Sequence, residues 1–299
     1  MKRVIIGRSV QGASHKRDGR ECQDSCKKIE FNDGTVVLAV ADGHGSKSSP
    51  YSKSGSSMAV NAFCSVMGTL YLSYIEKSET LLTYLNREGE TRVAKSIDNE
   101  WKRRVLKAHS DNKRDIPQID DRDKQKAEIY KQYGTTLLGL MIAPSFLFAF
   151  QLGDGDITYV DYSGIDTVLQ SEKILGVETH SLSSADSWKR AITTVRRRDV
   201  DPPLPSLFIL STDGFVNSYK DDKEFEKTCI DYYEMIKEHG AETVSANLKV
   251  WLSETSEMGC GDDITLLMAY FYDSAGEINK SLPVDGEASL SESEVVASE

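Results

Sequence analysis

In the stretch Val36-Val37-Leu38-Ala39-Val40-Ala41-Asp42-Gly43-His44-Gly45 an unbroken apolar run ends on a carboxylate, followed by two glycines and a histidine. An apolar run without polar alternation makes a strand buried on both faces, so it carries Asp42 to the edge of the core. The preceding Asn32-Asp33-Gly34 is a hairpin signal, because Asn and Gly tolerate positive φ. It joins a strand at residues 27–31 to one at 35–41.

The same punctuation recurs along the chain. Asp154 follows Phe148-Ala149-Phe150-Gln151-Leu152, Asp213 follows Leu207-Phe208-Ile209-Leu210, and Asp262-Asp263 precedes Ile264-Thr265-Leu266-Leu267. Each carboxylate has a glycine beside it (Gly43, Gly153 and Gly155, Gly214, Gly261). Glycine permits tight turns and close backbone approach, so a carbonyl such as that of Gly43 can join the donors. Carboxylates and carbonyls are hard oxygen ligands suited to Mg²⁺ or Mn²⁺. Asp-Gly is also an ordinary turn dipeptide, so the pattern alone leaves both plain turns and a cation site open.

Apolar periodicity predicts further strands at residues 4–9, 135–142, 146–152, 157–161, 167–170, 207–210 and 264–270. Helical spacing predicts helices at 53–76, 92–109, 222–238 and 241–254, and a polar loop with part of a helix at 110–131. Residues 174–205 read as irregular, ending in Asp201-Pro202-Pro203-Leu204-Pro205. Hairpins interleaved with pairs of long helices imply an α+β fold: two mostly antiparallel sheets with helices packed outside. The Ser/Glu-rich composition after residue 273 reads as a disordered acidic tail.

A net charge of -11 argues against nucleic acid or an anionic membrane as the main partner. The longest apolar stretch, 137–152, is interrupted by Pro144-Ser145 and is shorter than the roughly 20 residues that span a bilayer. Five scattered cysteines fit reduced thiols in a cytoplasmic, soluble protein. Cys22 and Cys26 raise a redox or zinc question, but no second Cys/His pair completes four ligands.

The ordered series Gln23-Asp24, Asp42-Gly43-His44-Gly45, Gly134-Thr135-Thr136-Leu137, Gly153-Asp154-Gly155, Ser211-Thr212-Asp213-Gly214 and Asp262-Asp263-Ile264-Thr265 resembles the protein phosphatase 2C family, the metal-dependent Ser/Thr phosphatases. With Ser14-His15, Gly19 and Cys22-Gln23-Asp24, it most resembles a bacterial branch. The resemblance implies a four-layer αββα sandwich, with a catalytic domain over residues 1–272 and a tail over 273–299. It implies hydrolysis of phosphoserine or phosphothreonine in proteins by hydroxide held at a binuclear Mn²⁺ or Mg²⁺ centre. Asp42 would bridge the two ions, the Gly43 carbonyl would bind the second, and Asp213 and Asp262 would complete the first. Asp154 matches a third, weaker metal position, and Asp24 would hold metal-bound water.

His44 is the candidate proton donor to the leaving oxygen, with a histidine merely packed in a turn as the competing reading. The family usually places a phosphate-binding arginine four or five residues before the aspartate matched by Asp24, offsets that Gly19 and Arg20 occupy here. Arg20 is the nearest candidate, with Arg17 and His15 beside it and a plain surface charge as its competing reading. Gly134-Thr135-Thr136 reads as a core hairpin element without chemistry. Arg196-Arg197-Arg198 falls where the family carries a flap beside its site, and reads either as a substrate contact or as a solvated charge run. A phosphorylated protein is the expected partner of an expected monomer. The alternative function is a non-catalytic phosphoprotein-binding domain on the same fold.

Overall fold

A computed structural model describes residues 2–170, 180–198 and 203–273. The tail from residue 274, and residues 174–179 and 199–202 of the segment expected to be irregular, lie outside the described residues.

The first sheet orders as β1 (Lys2–Val10), β10 (Ile264–Tyr272), β9 (Ser206–Ser211), β6 (Asp156–Asp161) and β7 (Gly164–Gln170). The second orders as β2 (Ser25–Glu30), β3 (Val36–Ala41), β4 (Leu137–Ile142), β5 (Phe146–Leu152) and β8 (Ile192–Arg197). Every pairing between these strands is antiparallel.

Strand β3 shows how the layers form. All six of its residues are buried, and the two-residue period of a strand divides them between opposite faces. Val36, Leu38 and Val40 point inward and meet Phe208, Leu210, Leu267 and Phe271 of the other sheet. Val37, Ala39 and Ala41 point outward into a core shared with α2 (Ser52–Ser73), α3 (Ser78–Glu88) and α4 (Ala94–Asp111). The outer face of the first sheet is covered by α7 (Asp222–His239) and α8 (Ala241–Met258). The result is the expected αββα sandwich.

The helices follow their apolar spacing. On α2, Val60, Phe63, Cys64, Met67 and Tyr71 recur at three- and four-residue steps and are buried on one side. On α7 the same rule selects Phe225, Cys229, Tyr232, Tyr233 and Ile236, and Asp221 caps the start by accepting from Glu224 N at 3.1 Å.

Antiparallel pairing places the functional ends together. The end of β9 lies beside the starts of β10 and β6, while the ends of β3 and β5 flank the start of β4. Gly153-Asp154-Gly155 carries the chain from β5 in one sheet to β6 in the other.

Some local expectations change. The segment 174–205 contains a short 3₁₀ turn, Ser187–Arg190, and the edge strand β8. Helix α3, the short helix α1 (Ala13–Arg17) and a π-helical turn, Gly89–Val93, were not expected, and the polar 110–131 region ends in α5 (Arg122–Lys131). Among the described residues no helix is long and apolar enough to cross a membrane.

Candidate metal centre

The carboxylates of Asp42, Asp154 and Asp213 converge, with one oxygen from each lying within 4.8 Å of the others. Asp42 is held through its main chain. Its N–H donates to Thr136 Oγ1 (3.0 Å), and its carbonyl accepts from Thr136 N (2.9 Å) and Thr135 Oγ1 (2.7 Å). Gly43 adds a bridge to Thr135. Gly134-Thr135-Thr136, expected to be part of a hairpin without chemistry, is instead the strap that fixes the Asp42 turn, and β4 begins only at Leu137.

Asp154 rides a turn between glycines with φ of +99° and +100°, values that side-chain-bearing residues rarely adopt. Gln151 Nε2 closes that turn by donating to the Gly155 carbonyl at 2.9 Å. Asp213 begins the short helix α6 (Asp213–Val216), and Asn217 Nδ2 donates to its Oδ2 at 3.1 Å.

Asp262 and Asp263 divide two tasks. Asp263 is buried and accepts from Gly12 N and Gln23 N, each at 2.7 Å, so it ties the N-terminal loop to β10. Asp262 keeps its carboxylate about half exposed (48%) on the wall of a cavity of about 260 Å³. Asp42, Gly43, His44 and Arg20 line the same cavity.

Asp24 is buried beside Asp42. Its Oδ2 accepts from Thr212 Oγ1 at 2.8 Å, while its Oδ1 is buried without a hydrogen-bond partner. Burial, followed by the charge of Asp263, pushes the Asp24 carboxyl up to about 7. Burial, with Asp154 and Asp262 next, pushes Asp213 to about 7. Asp42 is raised well above the carboxylate range by burial and by the charges of Asp24, Asp213 and Asp262.

These residues fit divalent cations. Several buried carboxylates, mutually repelling, need positive charge to be stable in ionised form, and the orphaned Asp24 Oδ1 lacks a donor. The Asp42, Asp154 and Asp213 donors are all hard oxygens, which suit Mg²⁺ or Mn²⁺ rather than Zn²⁺.

His44 packs over Gly134, close enough that a Cβ there would lie 2.5 Å from its Cδ2. Arg20 pairs with Asp18 at 2.8 Å and keeps 40% of its side chain exposed. Arg17 is exposed outside the cavity wall, whereas His15, largely buried, is part of that wall.

The arginine run closes the edge strand β8 and continues one residue past it, with Arg196 half-buried and Arg197 exposed, as a solvated charge run would be. Arg196 binds Asp166 (2.6 Å) and the Thr167 carbonyl, Arg197 forks onto Glu79, and Arg198 lies over Phe271 at 5.1 Å. Cys22 and Cys26 join no metal-ligating group among the described residues. Burial pushes the Cys22 thiol up to about 12.

Sequence reasoning found the carboxylates that begin or end strands. It missed Thr135, Thr136, Thr212, Asn217 and the tethering role of Asp263. Of these only Asn217 left a local signal, its four-residue spacing from Asp213 on a helical turn.

An αββα sandwich with a cluster of carboxylates along the seam of its sheets is the class that fold and site define. The chain belongs to the Protein phosphatase 2C family, whose match covers residues 11–253. Among solved structures, the serine/threonine phosphatase of S. agalactiae superposes with a TM-score of 0.56 at 17% identity, over 90% of this chain and 99% of its own. The catalytic domain of the serine/threonine protein phosphatase PstP, solved with two manganese ions, gives 0.51 at 14% identity, over 91% and 99%. A C. elegans sex determining protein gives 0.57 at 13% identity, over 90% and 65%. At such identities the likeness is one of fold. No curated protein matches the chain.

Proposed function

We propose that this protein is a metal-dependent phosphatase acting on phosphoserine or phosphothreonine in proteins. The convergence of Asp42, Asp154 and Asp213 carries the reading. Asp42, the Gly43 carbonyl, Asp213 and Asp262 would hold two Mn²⁺ or Mg²⁺ ions, and Asp154 a third. Bound there, the ions supply an activated water and offset charge on the phosphoryl oxygens.

The remaining groups have their own tasks. Asp24, steadied by Thr212, offers its unpartnered Oδ1 to orient the attacking water. Arg20 lines the cavity and presents a guanidinium fork suited to phosphate oxygens. His44, on the same wall, donates a proton to the departing serine or threonine oxygen. The alternative, a non-catalytic binding domain, would be favoured by a missing carboxylate, and each expected one is present.

Purified protein is expected to hydrolyse a phosphothreonine peptide with Mn²⁺ and to stop when EDTA is added. Asp42→Asn and Asp213→Asn are expected to fall to background. Wild-type turnover in either variant, or turnover indifferent to EDTA, would overturn the assignment.

A further inference from the structure

We propose that His15 is the positioning residue for Asp262, linking the short helix α1 to the metal centre; this rests on the reading of that centre given above. The backbone around Asp262 is already tethered to the start of α1. Ser14 N and Ser14 Oγ both donate to the Gly261 carbonyl, at 2.9 and 2.6 Å. Ala13 N donates to Ser256 Oγ (3.0 Å), which donates in turn to the Asp262 carbonyl (2.8 Å). Gly12 passes so close that a Cβ would lie 2.4 Å from the Asp262 carbonyl carbon.

Within this clip the His15 imidazole sits between two carboxylates, its residue only 7% exposed. Nδ1 lies 2.9 Å from Asp263 Oδ1, and Nε2 lies 3.4 Å from Asp262 Oδ1. The two neighbours differ in freedom. Asp263 is fixed by Gly12 N and Gln23 N, so it presents a stationary carboxylate to Nδ1, which is buried without a hydrogen-bond partner. Asp262 is half exposed and accepts from Asp263 N at 2.8 Å, a single bond that leaves its outer oxygen free to swing. Repulsion from Asp42 and Asp213 favours that outward swing. The buried imidazole opposes it by presenting Nε2 to Asp262 Oδ1, as outer partners do for ligating carboxylates.

Three full-length variants separate this role from simple support of the fold. His15→Phe fills the volume without nitrogen, His15→Asn can reach Asp263, and His15→Gln can reach Asp262. Mn²⁺ affinity by calorimetry, thermal midpoint in EDTA, and kcat at saturating Mn²⁺ are measured for each. His15→Phe is expected to weaken Mn²⁺ binding about 10–100-fold and to regain kcat at high Mn²⁺. His15→Gln is expected to restore affinity, while His15→Asn restores the midpoint but not the affinity.

Unchanged affinity in His15→Phe, or affinity restored by Asn as well as by Gln, would overturn the proposal. If His15→Phe does not fold, the comparison of Asn with Gln carries the same decision. Wild-type protein that binds no Mn²⁺ would overturn the metal centre itself, and this assignment with it. Wild-type binding retained in His15→Phe overturns this assignment alone.

Discussion

Asp24 and Asp213 carry carboxyls that titrate near 7, against an ordinary value of 3.8. Between those values the unfolded chain has released protons that the folded chain still holds. Folding stability therefore falls as pH rises through that window. The metal-free protein is expected to lose thermal midpoint from about pH 4 to about pH 7, and saturating Mn²⁺ should restore more of it the higher the pH, since ligands bind cations when deprotonated. A midpoint that rises across the window in EDTA would show that these carboxyls are not buried against one another. At this scale the legible residues were those whose own chain neighbours announce them: Asp42, Asp154, Asp213 and Asp262, each at a strand end beside glycine. Thr212 and Thr136 were not legible. Their hydroxyls act on Asp24 and Asp42, which lie 188 and 94 residues away, and no local pattern encodes such a meeting.

Strands β3, β5 and β9 were legible because every residue in them is buried, which produces unbroken apolar runs. Edge strand β8 was not. Its residues are exposed or half-buried, and Thr193, Thr194, Arg196 and Arg197 read as loop. Helix α3 escaped for a related reason, since it buries just Leu81, Leu82 and Leu85. The element that most needs its packing is α2, where Phe63 is fully buried and its ring centroid lies 5.9 Å from that of Phe150 on β5. Phe63→Ala is expected to cost about 3–5 kcal/mol in urea unfolding, through lost burial and the cavity left behind. A cost below about 1 kcal/mol would mean that α2 repacks freely on the sheet.

The whole molecule places its chemistry along one seam. Asp24 and Asp42 belong to the sheet containing β3, Asp213 and Asp262 to the sheet containing β9, and Asp154 lies on the crossing between them. Residues 1–272 are proposed as a sufficient catalytic unit, so a chain ending at Tyr272 is expected to keep full Mn²⁺-dependent turnover and the same KM for a phosphothreonine peptide. A large rise in KM would assign the tail to substrate capture. The seam also has a mechanical consequence. With carboxylates on both rims, ionising them without cations would set like charges against each other at the acidic mouth, opposed by the hydrophobic interior. Cations bound there as proposed would act as a clasp, so the free divalent ion concentration would set the stiffness of the whole sandwich.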